Sequence, residues 1–81
     1  MALTVLLFAA ARDLAEADSI AIELPPGATA AALRAELARR VPALAGLLAK
    51  SALAVNHDFV EDERELSPTD ELAIIPPVSG G

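Results

Sequence analysis

The sequence predicts an α+β domain in which one main helix packs across one face of a mixed β-sheet. Two strand-like segments open the chain, a long helical pattern occupies its middle, and further short strand-like segments follow before residue 76. Eighty-one residues, 54% of them apolar, suffice for one domain with one small core. The order strand, strand, helix, strand, strand therefore sets the expected architecture.

The two opening segments predict a β-hairpin. Residues 3–8 form an apolar run with β-branched and aromatic members, which is typical of an interior strand. Residues 9–17 are rich in Ala and Leu and predict a short helical turn or loop. Residues 19–24 alternate large side chains with small or charged ones, and Pro25 and Pro26 end this second strand.

The middle of the chain predicts a helix that begins after Thr29, because a threonine hydroxyl caps free backbone N–H groups. Pro42 ends this helix near residue 41 and opens a second short turn that ends near residue 49. Glu36 and Arg40 form a favourable pair four residues apart on the exposed side. Large apolar residues recur at helical spacing: Leu33, Leu37, Val41, Leu44 and Leu48.

The last third of the chain completes the predicted sheet. Residues 53–55 form a short strand, residues 59–60 a possible return strand after a turn at 56–58, and residues 71–75 the last strand. One helix on a mixed sheet with this element order is the β-grasp, or ubiquitin-like, architecture. We expect the domain to span residues 1–75 and residues 76–81 to form a flexible tail.

Side-chain alternation predicts which residues lie on the sheet face that the helix leaves uncovered. Leu6, Phe8, Ala73 and Ile75 fall in the alternation set that avoids the helix, so Phe8 and Ile75 are expected to be exposed. Single exposed apolar residues need no explanation. A contiguous patch that joins these residues beside the tail would instead indicate a docking surface, which is the interpretation we favour.

Composition excludes several classes of function. A formal net charge of −6 disfavours binding to nucleic acid and favours encounter with basic partners. The absence of cysteine excludes disulfides and thiolate chemistry from the chain. The apolar run at residues 2–11 is too short to span a bilayer and lacks a basic leading segment, so we expect a cytoplasmic protein that does not bind membranes.

Catalytic and metal motifs are weak in this sequence. His57 is the one histidine and lacks correctly spaced ligands, so it is expected to be a turn residue. The acidic stretch 58–65 lacks the glycine that a calcium loop requires and is expected to be a solvated surface. No nucleophile, base and orienting group occur together, and no phosphate-binding glycine loop precedes a helix. We expect no bound cofactor or metal, and no catalysis by the chain alone.

The tail is the segment that suggests a chemical role. Gly80 and Gly81 lack a Cβ, so the last backbone atoms can enter a channel too narrow for larger residues. A terminal carboxylate is a poor electrophile and needs activation before it reacts, most simply as an acyl-adenylate made from ATP by a partner enzyme. A sulfur nucleophile could then displace AMP and leave a thiocarboxylate. A frayed terminus without function is the alternative.

Several segments resemble the small subunit of molybdopterin synthase along nearly the whole chain: Phe8 with Arg12-Asp13-Leu14, Ala54-Val55-Asn56, Asp70-Glu71-Leu72, and Pro76-Pro77-Val78-Ser79-Gly80-Gly81. The resemblance implies a sulfur carrier whose Gly81 is adenylated by an ATP-dependent activating enzyme and thiocarboxylated with sulfur from a donor protein. It further implies docking on a large subunit, in a heterotetramer, that converts cyclic pyranopterin monophosphate into molybdopterin. Contacts with partners are expected at Phe8, Arg12, Val60, Ile75, Pro76, Pro77, Val78, Ser79 and Gly80.

Three other functions share the same predicted fold. The sulfur carrier of thiamine biosynthesis also ends in Gly-Gly. A ubiquitin-like modifier would attach the same activated carboxylate to protein lysines and produce stable conjugates of high mass. A β-grasp interaction module with an inert tail would keep its function without Gly81. The fold alone does not discriminate among these alternatives.

Overall fold

The computed structural model describes residues 1–77 and confirms the predicted β-grasp architecture. In this described part of the chain, five strands form one sheet in the order β2-β1-β5-β3-β4, in which β1 and β5 are parallel and all other neighbours are antiparallel. The strands are β1 (Ala2–Leu7), β2 (Ser19–Glu23), β3 (Ala52–Val55), β4 (Asp58–Val60) and β5 (Leu72–Ile75). The sheet is therefore mixed, as predicted, with β5 at its centre.

Three α-helices and one 3₁₀ turn connect the strands within residues 1–77. They are α1 (Ala9–Ala15), α2 (Ala30–Arg40), the 3₁₀ turn (Pro42–Leu44) and α3 (Ala45–Leu48). The Thr29 side chain accepts a hydrogen bond from the Ala32 N–H at 3.4 Å, which confirms the predicted cap of α2. Pro42 opens the 3₁₀ turn, as predicted. The segment that was predicted as a helical turn or loop is a helix, and it ends where Glu16 adopts a left-handed conformation with φ 55°.

The core lies between the sheet and the helices. Leu33 and Leu37 of α2, Leu44 of the 3₁₀ turn and Leu48 of α3 are buried, so the apolar stripe continues across Pro42 as predicted. Inward-facing residues of four strands form the sheet side of this core: Leu3, Val5, Leu7, Ile22, Leu53, Val55, Leu72 and Ile74. Because each fully buried aliphatic side chain contributes about 1.5–3 kcal/mol, this layer accounts for most of the stability of the fold.

The long connection between β4 and β5 is tied to the start of α2. The Ala30 N–H donates to the Arg64 carbonyl at 2.9 Å, the Leu66 N–H donates to the Ala28 carbonyl at 2.9 Å, and Leu66 itself is buried. These contacts hold the acidic segment against the domain. None of the helices within residues 1–77 is long and apolar enough to cross a membrane.

Two expectations about the uncovered face need correction. The first strand ends at Leu7, and Phe8 is the extended residue that precedes α1, with φ −127° and ψ 157°. Phe8 is exposed, as predicted, whereas Ile75 is half-buried. Ile75 lies on the central strand, so neighbouring strands on both sides reduce the solvent exposure of its side chain.

Candidate docking face

An apolar row crosses four strands on the sheet face that the helices leave uncovered. The strand register places Leu6 of β1 beside Ala73 of β5, Ala73 beside Ala54 of β3, and Ala54 beside Phe59 of β4. Residues in register on neighbouring strands point to the same face. The row is therefore continuous from β1 to the edge strand β4.

This row forms the floor of a groove with a volume of about 340 Å³. Phe59 is 72% exposed and Phe8 is 46% exposed, so the groove holds two phenyl rings in contact with solvent. Its lining consists of Leu6, Phe8, Ala54, His57, Phe59, Glu71, Ala73 and Ile75. The contiguous patch that the alternation predicted is confirmed, and such patches indicate sites of protein contact.

The polar end of the groove is built by a two-residue turn between β3 and β4. Asn56 and His57 both have positive φ, at 52° and 73°, as a tight hairpin turn requires. The His57 Nε2 lies 2.8 Å from the Glu71 Oε2. His57 is thus a turn residue, as expected, and its close acidic neighbour is Glu71, which directly precedes β5, rather than the adjacent Asp58.

Asn56 ties this turn to the start of β5. Its backbone N–H donates to the Glu71 carbonyl at 2.8 Å, and its side-chain oxygen accepts from the Glu71 N–H at 2.9 Å. Its side-chain amide donates to the Asp70 Oδ1 at 2.9 Å. Asp70 also accepts from the Ser67 N–H at 2.7 Å. Two of the segments that carried the family resemblance, around Asn56 and around Asp70, therefore meet in one hydrogen-bonded cluster.

The structure brings some of the predicted contact residues together and separates others. Phe8 and Ile75 line the groove. Arg12 is exposed on α1, one turn after Phe8, and its backbone N–H lies 3.4 Å from the Phe8 carbonyl, but its side chain does not line the groove. Pro76 is half-buried and Pro77 exposed, directly after β5. The predicted contacts at Val78, Ser79 and Gly80, and the reactive Gly81, lie outside the described residues.

Val60 does not belong to this face. It is opposite Leu53 in the β3–β4 ladder and packs, half-buried, against the core. Its neighbour Phe59 points to the uncovered face and is the most exposed large apolar side chain in the described part of the chain. Phe59 is not among the contact residues predicted from the sequence, although period-two alternation from Ala54 across a two-residue turn places it on this face.

A second hollow, of about 420 Å³, lies on the helical side of the domain. Its polar side chains make contacts within the fold, so we assign it a structural role rather than a binding role. Arg34 of α2 lines this hollow and makes most of these contacts. One of its terminal nitrogens donates to the carbonyls of Leu48 and Ser51 at 2.8 and 2.9 Å, which satisfies acceptors at the end of α3. Its Nε lies 3.1 Å from the Asp62 Oδ1. These contacts join α2, α3 and the β4–β5 connection.

Acidic side chains in residues 1–77 do not gather into a metal site. No group of three or more His, Asp or Glu residues in that range is placed to hold a metal ion. The groove offers apolar contact along its floor, with hydrogen bonding and charge at its Glu71 end.

Comparison with solved structures defines the class of the fold. The chain matches SAMP1 of Haloferax volcanii, a small archaeal modifier protein, with a TM-score of 0.89 at 24% identity over 100% of both chains. It matches a chain of the complex of subunits 1 and 2 of the molybdopterin-converting factor from Helicobacter pylori, with a TM-score of 0.72 at 23% identity over 100% of both chains. At these identities the likeness establishes the ubiquitin-like β-grasp fold.

Sequence comparison then identifies the family. The model of the ThiS family matches residues 5–81. A molybdopterin synthase sulfur carrier subunit from Haemophilus influenzae is 40% identical over 98% of this chain and 99% of its own length. The corresponding protein of Chlamydomonas reinhardtii is 37% identical over 100% of both chains. The chain belongs to the ThiS family and is related within it, over nearly its full length, to molybdopterin synthase sulfur carrier subunits.

Proposed function

We propose that this chain is the sulfur carrier subunit of a molybdopterin synthase. The observation that carries the proposal is the identity of 37–40% with proteins of that name over 98–100% of this chain. The uncovered apolar face supports it, because β5 runs across that face and leads directly into residues 76–81. A partner that covers the groove would therefore receive the tail.

The proposed reaction at Gly81 has two steps. The carboxylate first attacks the α-phosphate of ATP in the activating enzyme, which forms an acyl-adenylate and releases pyrophosphate. Sulfur released by the donor protein at the oxidation level of hydrosulfide then attacks the acyl carbon, displaces AMP and leaves a thiocarboxylate. That sulfur is donated to cyclic pyranopterin monophosphate on the large subunit. ATP is used by the activating partner and is not a resident cofactor of this chain.

The chain's own contribution is docking and reach. Six residues from Pro76 to Gly81 extend at most about 20 Å, and Pro76 and Pro77 favour an extended base for this arm. The groove docks the domain on the partner while the tail enters the partner's active site. Because one face serves both the activating enzyme and the large subunit, the two partners compete for it. The working assembly is a heterotetramer with the large subunit, in the cytoplasm.

Mass spectrometry of the C-terminal peptide tests this function. The chain is incubated with ATP, the activating enzyme and a sulfur donor, beside a matched variant that lacks Gly81. Replacement of one oxygen by sulfur adds about 16 Da to the tail peptide of the intact chain, whereas oxidation adds the same mass at Met1 and is separated by its position. The variant without Gly81 is expected to gain nothing on its tail.

Three results would contradict the proposal. A tail that gains no mass with an enzyme shown to be active on another carrier would remove the sulfur-carrier role. Gly81 linked to lysine side chains of other proteins, in place of a thiocarboxylate, would favour the ubiquitin-like modifier. A thiocarboxylate that the large subunit does not consume would instead favour the carrier of thiamine biosynthesis.

A further inference from the structure

The docking groove is polar at one end only. Within residues 1–77, eight residues line it. Six of them are apolar, and the two with ionisable side chains, His57 and Glu71, lie together at the β3–β4 turn. The His57 and Glu71 side chains are 79% and 57% exposed, so their contact is worth little in the free chain. A partner's cation can therefore replace the imidazole at low cost.

The backbone that presents Glu71 is held firmly. Both its N–H and its carbonyl are hydrogen-bonded to Asn56, at 2.9 and 2.8 Å, and Asn56 is in turn bonded to Asp70. The carboxylate consequently projects from a fixed point at the groove's end. Such preorganisation reduces the ordering cost of binding.

The charge at this end of the groove is negative. Glu71 supplies a carboxylate there, and among the described residues no lysine or arginine lines the groove. When a partner covers the apolar floor, it also excludes water from the Glu71 carboxylate. A carboxylate that loses water without gaining a cation is unfavourable, so a correct partner must supply one.

We propose that Glu71 is a specificity-determining residue of the docking face and that it binds an arginine side chain of the large subunit. Arginine fits better than lysine because a guanidinium can bind the carboxylate through two N–H groups and stack on an aromatic ring. Phe59 offers such a ring in the same groove. This inference rests on the proposed function, since it assigns the large subunit as the occupant.

Calorimetric titration of the large subunit with four forms of the full chain tests the proposal. They are the wild type, Glu71→Gln, His57→Asn and Glu63→Gln. Glu63 is exposed, does not line the groove, and its substitution removes the same charge. Glu71→Gln is expected to weaken binding about tenfold or more, because the partner's arginine loses its charged acceptor, and to flatten the salt dependence of the affinity. Glu63→Gln is expected to change affinity less than about twofold.

His57→Asn separates a docking role of Glu71 from a structural one. Asparagine tolerates the left-handed backbone at position 57, so the turn is retained. Binding by His57→Asn equal to or tighter than wild type is expected, because Glu71 loses a competing neighbour. Equal losses in Glu71→Gln and Glu63→Gln would overturn the proposal, as would equal losses in Glu71→Gln and His57→Asn. Wild type that fails to bind the large subunit would overturn the proposed function itself.

Discussion

The two faces of the sheet differ in what they do for the molecule. The covered face is a buried layer in which Leu3, Val5 and Leu7 of β1 meet Leu33 and Leu37 of α2. The uncovered face is divided. Thr4, Ala21 and Glu23 make its β2 side polar or small, while the end of β1, together with β5, β3 and β4, carries the apolar groove. The comparison indicates that one face stabilises the domain and half of the other is left open for a partner.

Leu37→Ala should have the largest effect and should act through the covered face alone. Leu37 is fully buried, so the lost contacts and the remaining cavity are expected to lower the free energy of unfolding by about 2–5 kcal/mol. Urea denaturation followed by circular dichroism measures this loss. Leu14→Ala is the matched control, since Leu14 is 46% exposed and its loss should cost less than about 0.5 kcal/mol. Similar losses of unfolding free energy in the two variants would contradict the claim that the covered face stabilises the domain.

Asn56→Ala should show that the polar end of the groove also contributes to stability. Alanine removes the side-chain hydrogen bonds to Asp70 and to the Glu71 N–H, and it must adopt φ 52°. We expect a loss of about 1–3 kcal/mol in the free energy of unfolding. Asn56→Gly removes the same hydrogen bonds but accepts the backbone angle, so a smaller loss than in Asn56→Ala measures the strain. Wild-type stability in both variants would contradict the role of this cluster.

Glu36 should give the smallest effect and a defined dependence on pH. A hydrogen bond from Arg39, assisted by Arg40 and opposed by partial desolvation, lowers the pKa of Glu36 from 4.5 to about 2. A carboxyl with a lowered pKa stabilises the fold above its unfolded pKa, and this stabilisation is lost as the pH falls towards its folded pKa. The difference in free energy of unfolding between wild type and Glu36→Gln should therefore be constant above about pH 5 and disappear near pH 2. A difference that grows on acidification would contradict the assignment.

Much of the fold followed from local patterns in the sequence. Thr29, Pro42 and the leucine stripe defined the helical layer, because capping, proline geometry and helical spacing act over a few residues. Alternation likewise predicted the patch that includes Leu6 and Phe8. These signals need no knowledge of which strands become neighbours.

The features that the sequence did not predict depend on how strands distant in the sequence pair in the sheet. The half-burial of Ile75 follows from the central place of β5, and the exposure of Phe59 from the register of a two-residue turn. The contact between Glu71 and His57 joins residues 14 positions apart through the same turn. Val60, predicted as a partner contact, lies on the covered face and Phe59 in the groove, because successive residues of a strand point to opposite faces.

Phe59 and Val60 provide the most direct test of the division between the faces, since they are neighbours on β4 that point in opposite directions. Each is replaced by alanine, and both urea denaturation and titration with the large subunit are measured. Phe59→Ala should weaken docking about tenfold or more, with a free energy of unfolding within about 0.5 kcal/mol of wild type. Val60→Ala should lower the free energy of unfolding by about 1 kcal/mol and leave docking within about twofold of wild type. The reverse pattern, with docking lost at Val60 and retained at Phe59, would contradict the account.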